Sequence, residues 1–304
     1  MDISPLQRLE HPAARVAGVR LWVKRDDLLT PAPGTALQGN KVRKLGPVLV
    51  AARSAPRPPL LVTFGGAYSN HLAALAEATR RYGLRSVAFV RGREVDNPVL
   101  RHVVACGTAV RRLTRAAYRL RHDPAWLAAR RADLAGEHRL DTEQVWIIPE
   151  GGTTAAGVAG CGAVYAEILA QLGHPPARLC VSAGTGGTAA GIIGAAQPAT
   201  TVEVFPALKG NWMAAEIEKW LPPTPAAEWV VVGGYAFGGY GRCPADWHRP
   251  SPGLAARADP GEPGLPPLEP VYTVKLFAGV LDRLRTGCYP AGSDVVIVHT
   301  GGIY

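Results

Sequence analysis

Cysteines are few in this sequence and follow no recognisable spacing. Only five occur among 304 residues, and no two form a CxxC pair. Their odd number and scattered positions predict neither a disulfide framework nor a zinc site, so we interpret them as structural thiols. HExxH, EF-hand and GxSxG patterns are absent too, and the sequence predicts no bound metal and no serine-triad hydrolase. The cysteines are Cys106, Cys161, Cys180, Cys243 and Cys288.

Long apolar runs are also absent. We find none that approaches the ~20 residues needed to cross a bilayer, and the N-terminal segment lacks the apolar core of a signal peptide. The chain is 47% hydrophobic and 19% charged, which is typical of a globular protein. Its length is sufficient for two lobes. We therefore expect a soluble, cytoplasmic protein without a membrane partner.

Acidic residues are outnumbered, with 24 Asp and Glu against 33 Lys and Arg, and the net charge is +9. This basicity requires a nucleic-acid partner to be considered. The arginines are spread along the chain, however, and we find no zinc finger, RNP-type aromatic motif or basic tail. The densest stretch, Arg111 to Arg131, is typical of the outer face of helices. We therefore expect no nucleic-acid partner.

Lysine is scarce, since there are only six, and two of them stand in GNKVRKL, from Gly39 to Leu45. An amine forms an imine with an aldehyde and a guanidinium does not, so lysines in an arginine-rich chain are candidates for chemistry. The motif opens an apolar helix, whose free N–H groups favour an anion. Lys41 and Lys44 share a helix face, so one can bind an aldehyde and the other a phosphate. A solvated helix start is the alternative.

Short apolar strands alternate with helices along most of the chain. LLVTFGG, RSVAFVRG and ARLCVSAG are typical of buried strands, and a helical pattern follows each of them. The alternation predicts an α/β protein with parallel sheets that helices cover on both faces. Ligands of such folds bind at the carboxyl ends of the strands. A Pro-rich stretch at 249–268 interrupts the pattern, and we interpret it as a surface loop.

Polar motifs follow several of these strands. Ser69 and Asn70, in GGAYSNH, are candidate ligand contacts, with helix capping as the alternative. Thr300, in VHTGG, is a candidate contact or an ordinary strand end. Tyr240 in FGGYGR and Tyr272 in PVYTVK are candidate site residues or buried aromatics with satisfied hydroxyls. None of these motifs identifies a function alone.

A glycine-rich turn follows the strand ARLCVSAG. It predicts a phosphate site, because glycines let backbone amides approach an anion closely. The turn also fits a dinucleotide fingerprint, with Glu203 near the position of a ribose contact, so a nicotinamide-dependent oxidoreductase is an alternative. The residues of the turn are Ser182, Ala183, Gly184, Thr185, Gly186, Gly187 and Thr188.

Together, and in this order over nearly the whole chain, the motifs resemble those of the fold-type II pyridoxal-phosphate enzymes. The shared elements are GNKxRK, SNH, SxGTGGT, GGY, PVYxxK and HTGG, and the most similar branch holds D-cysteine desulfhydrase and 1-aminocyclopropane-1-carboxylate deaminase. The resemblance implies pyridoxal 5'-phosphate as cofactor, a homodimer, and one catalytic unit over 1–304 with a tryptophan synthase β-like fold. Each of its two lobes would hold a parallel sheet flanked by helices, with a small lobe at 45–152 and a large lobe of 1–44 plus 153–304.

The resemblance also implies roles for the motif residues. Lys41 matches the catalytic lysine to which the cofactor is attached, and Lys44 matches a lysine near its phosphate. Asn70 matches the contact to the ring hydroxyl, and Thr300 matches the hydroxyl at the pyridine nitrogen. Residues 183–188 match the phosphate loop. The residues that match substrate-facing, catalytic positions are Ser69, Tyr240 and Tyr272.

Two positions favour the desulfhydrase branch. Deaminases carry Glu after the second tyrosine and Leu before the last double glycine, whereas this chain has Thr273 and Thr300. Other departures from the family pattern lie around the substrate side, so they bear on the substrate more than on the cofactor. These departures are Tyr68, Glu269, Val274, the prolines of 249–268 and an end soon after HTGG.

The reaction that the resemblance implies is α,β-elimination on a small amino acid such as D-cysteine, with release of ammonia and a 2-oxo acid. Lys41 or Ser69 would remove the α-proton, and the cofactor would act as the electron sink. A 1-aminocyclopropane-1-carboxylate deaminase, another pyridoxal-phosphate lyase and a racemase are alternatives within the family. A protein that binds the cofactor without turnover is a further alternative.

Overall fold

Two β-sheets organise the chain, which a computed structural model describes over residues 3–92, 97–242 and 264–302. The strands are β1 Leu6–Arg8, β2 Arg20–Lys24, β3 Leu60–Gly65, β4 Arg85–Arg91, β5 Ala109–Leu113, β6 Val145–Ile148, β7 Arg178–Ala183, β8 Thr201–Pro206, β9 Trp229–Val231 and β10 Asp294–Val298. The larger sheet has the order β1-β2-β10-β7-β8-β9, and the smaller one β5-β4-β3-β6. All pairs are parallel except β1 with β2, which is antiparallel.

Helices cover these sheets, as the alternating pattern predicts. They are α1 Pro12–Val16, α2 Asn40–Ser54, α3 Asn70–Tyr82, α4 Pro98–Ala105, α5 Arg115–Arg119, α6 Pro124–His138, α7 Ala155–Leu172, α8 Gly187–Ala195, α9 Met213–Glu218 and α10 Thr273–Arg285. Short 3-10 turns lie at Asp26–Leu28, Leu120–His122, Thr142–Gln144 and Glu150–Gly152. The prediction of an α/β fold with two parallel sheets is confirmed, although β1 and β2 were not predicted from the sequence.

Both faces of the larger sheet are buried, which explains its continuous apolar strands. Successive side chains of β10 point to opposite faces. Val295 and Ile297 join a core cluster with α10, whereas Val296 and Val298 join one with α7 and α8. The smaller sheet lies within 60–148, inside the predicted small lobe. The lobe boundaries themselves stay a prediction, and most of the predicted Pro-rich loop, like Cys243, lies outside the described residues.

Helix α7 is long and apolar enough to cross a membrane by length and composition, although the sequence showed us no such run. In the structure it packs against α2 and α8. Its Val164 and Ile168 side chains are fully buried in the core of the larger sheet. Its polar residue Glu167 pairs with Arg43 of α2. These contacts bury one face of the helix, and 33% of the span is buried in all.

A buried ion-pair cluster attaches α2 to the larger sheet. The Arg43 side chain is 1% exposed; its Nε and Nη2 donate to both oxygens of Asp26, each at 2.8 Å. Its Nη1 also donates to Glu167 at 2.7 Å. Lys24 of β2 completes the cluster, with its Nζ 2.7 Å from a Glu167 oxygen. Because an arginine fork binds carboxylates with fixed geometry, the cluster sets the position and rotation of α2.

We predict that Arg43→Met will lower the free energy of unfolding by about 3–5 kcal/mol, since it removes one partner of a buried pair and leaves Asp26 without its fork. Urea denaturation followed by tryptophan fluorescence measures the change. Arg57→Met is the control, because the Arg57–Asp141 pair is 66% and 57% exposed and exposed pairs contribute little. Equal effects of the two substitutions would contradict the prediction.

Candidate cofactor site

A cavity of about 710 Å³ lies where the carboxyl ends of strands from both sheets meet. It collects the start of α2, the start of α3, the turn after β7 and the residues after β10, as expected for an α/β fold. Every predicted site residue lines it except Gly187, which begins α8 directly behind the lining. The lining residues among those predicted are Lys41, Lys44, Ser69, Asn70, Ala183, Gly184, Thr185, Gly186, Thr188, Tyr240, Tyr272 and Thr300.

Lys41 reaches the cavity from the first turn of α2. The turn begins at Gly39, where φ is +60° and a Cβ would lie 2.1 Å from the Thr300 carbonyl oxygen, so only glycine fits. Lys41 Nζ donates to Asn40 Oδ1 at 2.8 Å, and Asn40 Nδ2 donates to Thr188 Oγ1 at 3.0 Å. Burial, together with the nearby Lys44 charge, lowers the pKa of Lys41 to about 7. A large share of this amine is therefore unprotonated and nucleophilic near neutral pH.

Lys44 faces a cradle that suits a phosphate. Its Nζ donates to Thr153 Oγ1 at 2.9 Å, and Thr153 Oγ1 lies 2.8 Å from Thr185 Oγ1. The N-terminus of α8 opens here, with Gly186 at φ +76°, and offers free N–H groups. A Cβ on Gly187 would lie 3.0 Å from Lys44 Nζ, so the backbone approaches the amine closely. Burial lowers the pKa of Lys44 to about 8.

The start of α3 and the segment after β10 present polar residues to the cavity. Ser69 is the N-cap, and its Oγ accepts the Leu72 N–H at 3.4 Å. The same residue therefore caps α3 and lines the cavity. Asn70 lies against the C-terminal double glycine, because a Cβ on Gly302 would be 2.7 Å from Asn70 Nδ2. Thr300 lies on the same side, 8% exposed, just after β10. These side chains therefore border the same region of the cavity.

His71 also lines the cavity, although no role was predicted for it. Its Nε2 is 2.7 Å from Thr63 Oγ1, which donates to the Ile148 carbonyl. Thr63 must therefore accept from Nε2, which leaves Nδ1 as a buried acceptor that has no partner among the described residues. Burial holds the pKa of His71 well below its usual value, so the ring is neutral. The signal in the sequence that could have identified His71 was its position in the SNH motif, directly after Ser69 and Asn70.

Two tyrosines also line the cavity. The Tyr240 and Tyr272 rings meet edge to face, with centroids 6.4 Å apart, and Tyr240 donates its hydroxyl to the Tyr68 carbonyl at 3.1 Å. Burial raises the pKa of both hydroxyls, so both stay protonated at neutral pH and can donate. Tyr68 and Tyr240, far apart in sequence, thus meet at the predicted substrate side.

Glu269, which the sequence marks only as a departure from the family pattern, stabilises the turn before α10. Its carboxylate accepts backbone N–H groups of Val271, Tyr272 and Thr273 at 2.6 to 2.8 Å. Burial raises the pKa of Glu269 to about 7, while these hydrogen bonds oppose the rise. Glu269 therefore orients the Tyr272 backbone. Its role was not predicted because it depends on how the turn folds.

Charged groups surround the mouth of the cavity. Arg91 and Arg121 both lie over the Tyr118 ring, at 5.7 and 4.7 Å from its centroid, and Arg121 Nε donates to Glu150 Oε2 at 2.8 Å. The expectation that the arginines of 111–131 lie on outer helix faces is therefore wrong for Arg121. Its side chain turns towards the cavity because Tyr118 and Glu150 hold it there.

The nicotinamide alternative is not supported by the position of Glu203. This residue lies on the α10 face of β8, where Tyr289 donates to it at 2.9 Å and Arg283 at 3.0 Å. It is 2% exposed and does not line the cavity. Since the strand directs alternate side chains to opposite faces, Glu203 cannot reach a ribose at the glycine turn.

The residues present fit pyridoxal 5'-phosphate. A buried amine with a lowered pKa suits an aldehyde, and the cradle around Lys44 and the α8 N-terminus suits a phosphate. Asn70 and Thr300 border the space between them, where an aromatic ring would lie. The neutral His71 ring lines the same cavity. These residues thus match the aldehyde, the phosphate and the aromatic ring of this cofactor.

The lowered pKa of Lys41 can be measured after the cofactor has been removed. Only the unprotonated amine attacks an aldehyde, so we predict that the rate of reattachment of pyridoxal phosphate rises with pH around 7, well below the ordinary lysine range near 10.5. Stopped-flow absorbance measures this rate. Lys44→Met should move the midpoint upwards, because it removes a neighbouring charge that disfavours protonated Lys41. A wild-type midpoint near 10.5 would refute the assignment.

Comparisons with known proteins agree with this chemistry. A family model described as pyridoxal-phosphate dependent enzyme matches residues 3–207. The chain is 28% identical over 312 residues to a putative 1-aminocyclopropane-1-carboxylate deaminase of Pyrococcus horikoshii, covering 99% of this chain and 89% of that protein. It is 26% identical to a D-cysteine desulfhydrase of Serratia proteamaculans, with coverage of 98% and 91%.

Solved structures show the same fold. An ACC deaminase homologue superposes with a TM-score of 0.76 at 25% identity, and the match covers 100% of this chain and 90% of that one. A fungal L-serine ammonia-lyase from Rhizomucor miehei has a TM-score of 0.63 at 16% identity, with coverage of 99% and 94%, and shares the fold. The two-lobed arrangement, the paired lysines and the match over more than half of the chain lead to one conclusion: this chain belongs to the pyridoxal-phosphate dependent enzymes.

Proposed function

We propose that this protein is a lyase that eliminates a β-leaving group from a small amino acid such as D-cysteine. The overall change consumes one water, and D-cysteine yields pyruvate, ammonium and hydrogen sulfide. The observation that carries the proposal is the set of titratable groups around one cavity. Lys41, a base near neutral pH, and the protonated pair Tyr240 and Tyr272 line that same cavity. The cavity thus offers both a proton acceptor and proton donors.

Each residue has a defined task in this proposal. Bound pyridoxal phosphate supplies the electron sink for the carbanion. Lys41 takes the α-proton, and Ser69, at the start of α3, is the alternative base. Tyr240 or Tyr272 delivers a proton to the departing sulfur, which leaves more easily as a thiol. The buried walls exclude bulk water from this exchange.

Thr300 supports elimination over other reactions of this family. A hydroxyl at the ring nitrogen cannot hold that nitrogen protonated as a carboxylate would, and the electron sink is weaker as a result. A weaker sink favours substrates with a good leaving group over racemisation and transamination. In the structure, Thr300 is the hydroxyl residue that follows β10 at the cavity wall.

Opening of 1-aminocyclopropane-1-carboxylate is a second candidate, because relatives with that name cover nearly the whole chain. Thr273 counts against it. The deaminase pattern has Glu here, whereas Thr273 is fully buried and its Oγ1 is 2.8 Å from the Glu269 N–H, which it accepts. This side chain therefore serves the turn before α10 and does not line the cavity.

A substrate panel tests the proposed function. We expect pyruvate and sulfide from D-cysteine, no sulfide from the Lys41→Ala variant, and less product from L-cysteine. Formation of 2-oxobutyrate from 1-aminocyclopropane-1-carboxylate, without sulfide from D-cysteine, would favour the deaminase instead. A yellow protein that leaves every amino acid of the panel unchanged would show cofactor binding without turnover and overturn the proposal.

Replacement of the tyrosines tests proton delivery to sulfur. Loss of a general acid costs roughly 10²–10⁴-fold, so the variant of the donating tyrosine, Tyr240→Phe or Tyr272→Phe, should lose that much kcat/KM for D-cysteine. It should lose far less for β-chloro-D-alanine, because chloride needs no proton to leave. Tyr235→Phe is the control, since its hydroxyl donates to Asp282 outside the cavity. Equal losses on both substrates would indicate a merely structural role.

We also propose that the protein acts as a homodimer in the cytoplasm, with neither a membrane nor a nucleic acid as partner. The family resemblance supports the dimer, and the spread of arginines along the chain supports the lack of a nucleic-acid partner. Analytical ultracentrifugation of the holoenzyme tests the oligomeric state, and a monomer would contradict it.

A further inference from the structure

A cluster of three metal-ligating side chains lies between α3 and α4, away from the cofactor cavity. Glu77 belongs to the second half of α3, His102 to α4, and Cys106 is the first residue after α4. His102 and Cys106 are four residues apart and share a helix face. The Glu77 side chain is 6% exposed and that of His102 is 19% exposed, so the cluster is buried but reachable from solvent.

The three ligand atoms lie close together. His102 Nε2 is 3.1 Å from Glu77 Oε2, Cys106 Sγ is 3.5 Å from His102 Nε2, and Cys106 Sγ is 3.8 Å from Glu77 Oε2. Tetrahedral zinc, with bonds of about 2.0 Å to N and O and 2.3 Å to S, places its ligands about 3.3–3.6 Å apart. The triangle therefore approximates one face of a zinc tetrahedron without movement of the backbone.

The chemistry of the ligands suits zinc(II) better than other common ions. A thiolate and an imidazole disfavour magnesium and calcium, which prefer oxygen ligands. Thiolate and carboxylate together neutralise a divalent charge. Arg80 donates to the other Glu77 oxygen, Oε1, and this contact orients the carboxylate so that Oε2 faces His102 and Cys106.

Zinc binding requires a cysteine thiolate and a neutral imidazole nitrogen. Zinc would displace the thiol proton to solvent and form the S–Zn bond, with no change of oxidation state.

We propose that Glu77, His102 and Cys106 form a zinc(II)-binding site, with water as the fourth ligand, that joins α3 to α4. The cysteine spacing in the sequence indicated no such site, because only two of the ligands are near each other in the chain. The site would also bear on the cofactor cavity. α3 begins with Asn70 and His71, so a metal that braces its far half stabilises the helix that presents them.

A metal-binding titration of the holoenzyme tests this site. We expect one zinc per chain to be retained in competition with a chromogenic chelator, and Cys106→Ser to lower the affinity by at least about 100-fold, since loss of an outer-shell partner alone costs 10–100-fold. Cobalt(II) should give a sulfur-to-metal charge-transfer band that Cys106→Ser abolishes. Cys288→Ser, which removes an exposed thiol, is the matched control and should keep both.

The outcomes separate the site from an ordinary ion pair. A wild-type protein that binds no zinc, or a Cys106→Ser variant that binds it with wild-type affinity, would overturn the proposal and leave Glu77, Arg80 and His102 as a structural cluster. Circular dichroism and the yellow cofactor colour of Cys106→Ser report that the fold is intact. Because these measurements do not involve turnover, they stand apart from the proposed elimination.

Discussion

The pairing of Arg43 with Asp26 and Glu167 is the constraint on which the catalytic geometry depends. Arg43 lies between the two lysines of α2, but its side chain reaches Asp26 in the turn after β2 and Glu167 in α7. A helix anchored by a two-armed guanidinium cannot rotate without breaking several buried hydrogen bonds at once. Lys41 and Lys44 are therefore held towards the cavity, although their charged forms are disfavoured there.

Burial sets the protonation states of the site residues as well as the shape of the cavity. The same desolvation lowers the pKa of Lys41, keeps His71 neutral and keeps the tyrosine hydroxyls protonated. The cavity thus holds an amine that accepts protons near neutral pH and hydroxyls that donate them. Glu269 contributes through three backbone N–H groups, which fix the turn that carries Tyr272. This separation of acid and base favours elimination.

Much of the fold and of the site could be predicted because the signals are local. The strand before SNH, the helix after GNKVRK and the glycine turn after β7 each follow from periodicity and turn residues within about ten positions. The two N-terminal strands and the role of Glu269 were missed. β1 has three residues, and β2 is recognisable only through its pairing with β10. The nicotinamide alternative stayed open in the sequence because a fingerprint does not say which face of the strand its acidic residue, here Glu203, occupies.

By itself, the sequence determined the alternation of strands and helices from β3 onwards and most of the candidate residues that line the cavity, since glycine turns and paired lysines are recognisable in short stretches of sequence. Only the tertiary structure decided which of them meet. Arg43 reaches Glu167 across 124 positions and Lys44 reaches Thr153 across 109, and no local pattern encodes such contacts. The same holds for Glu77 with His102 and Cys106, which two helices bring together. Long-range packing chooses these neighbours because it depends on how whole elements fit against one another.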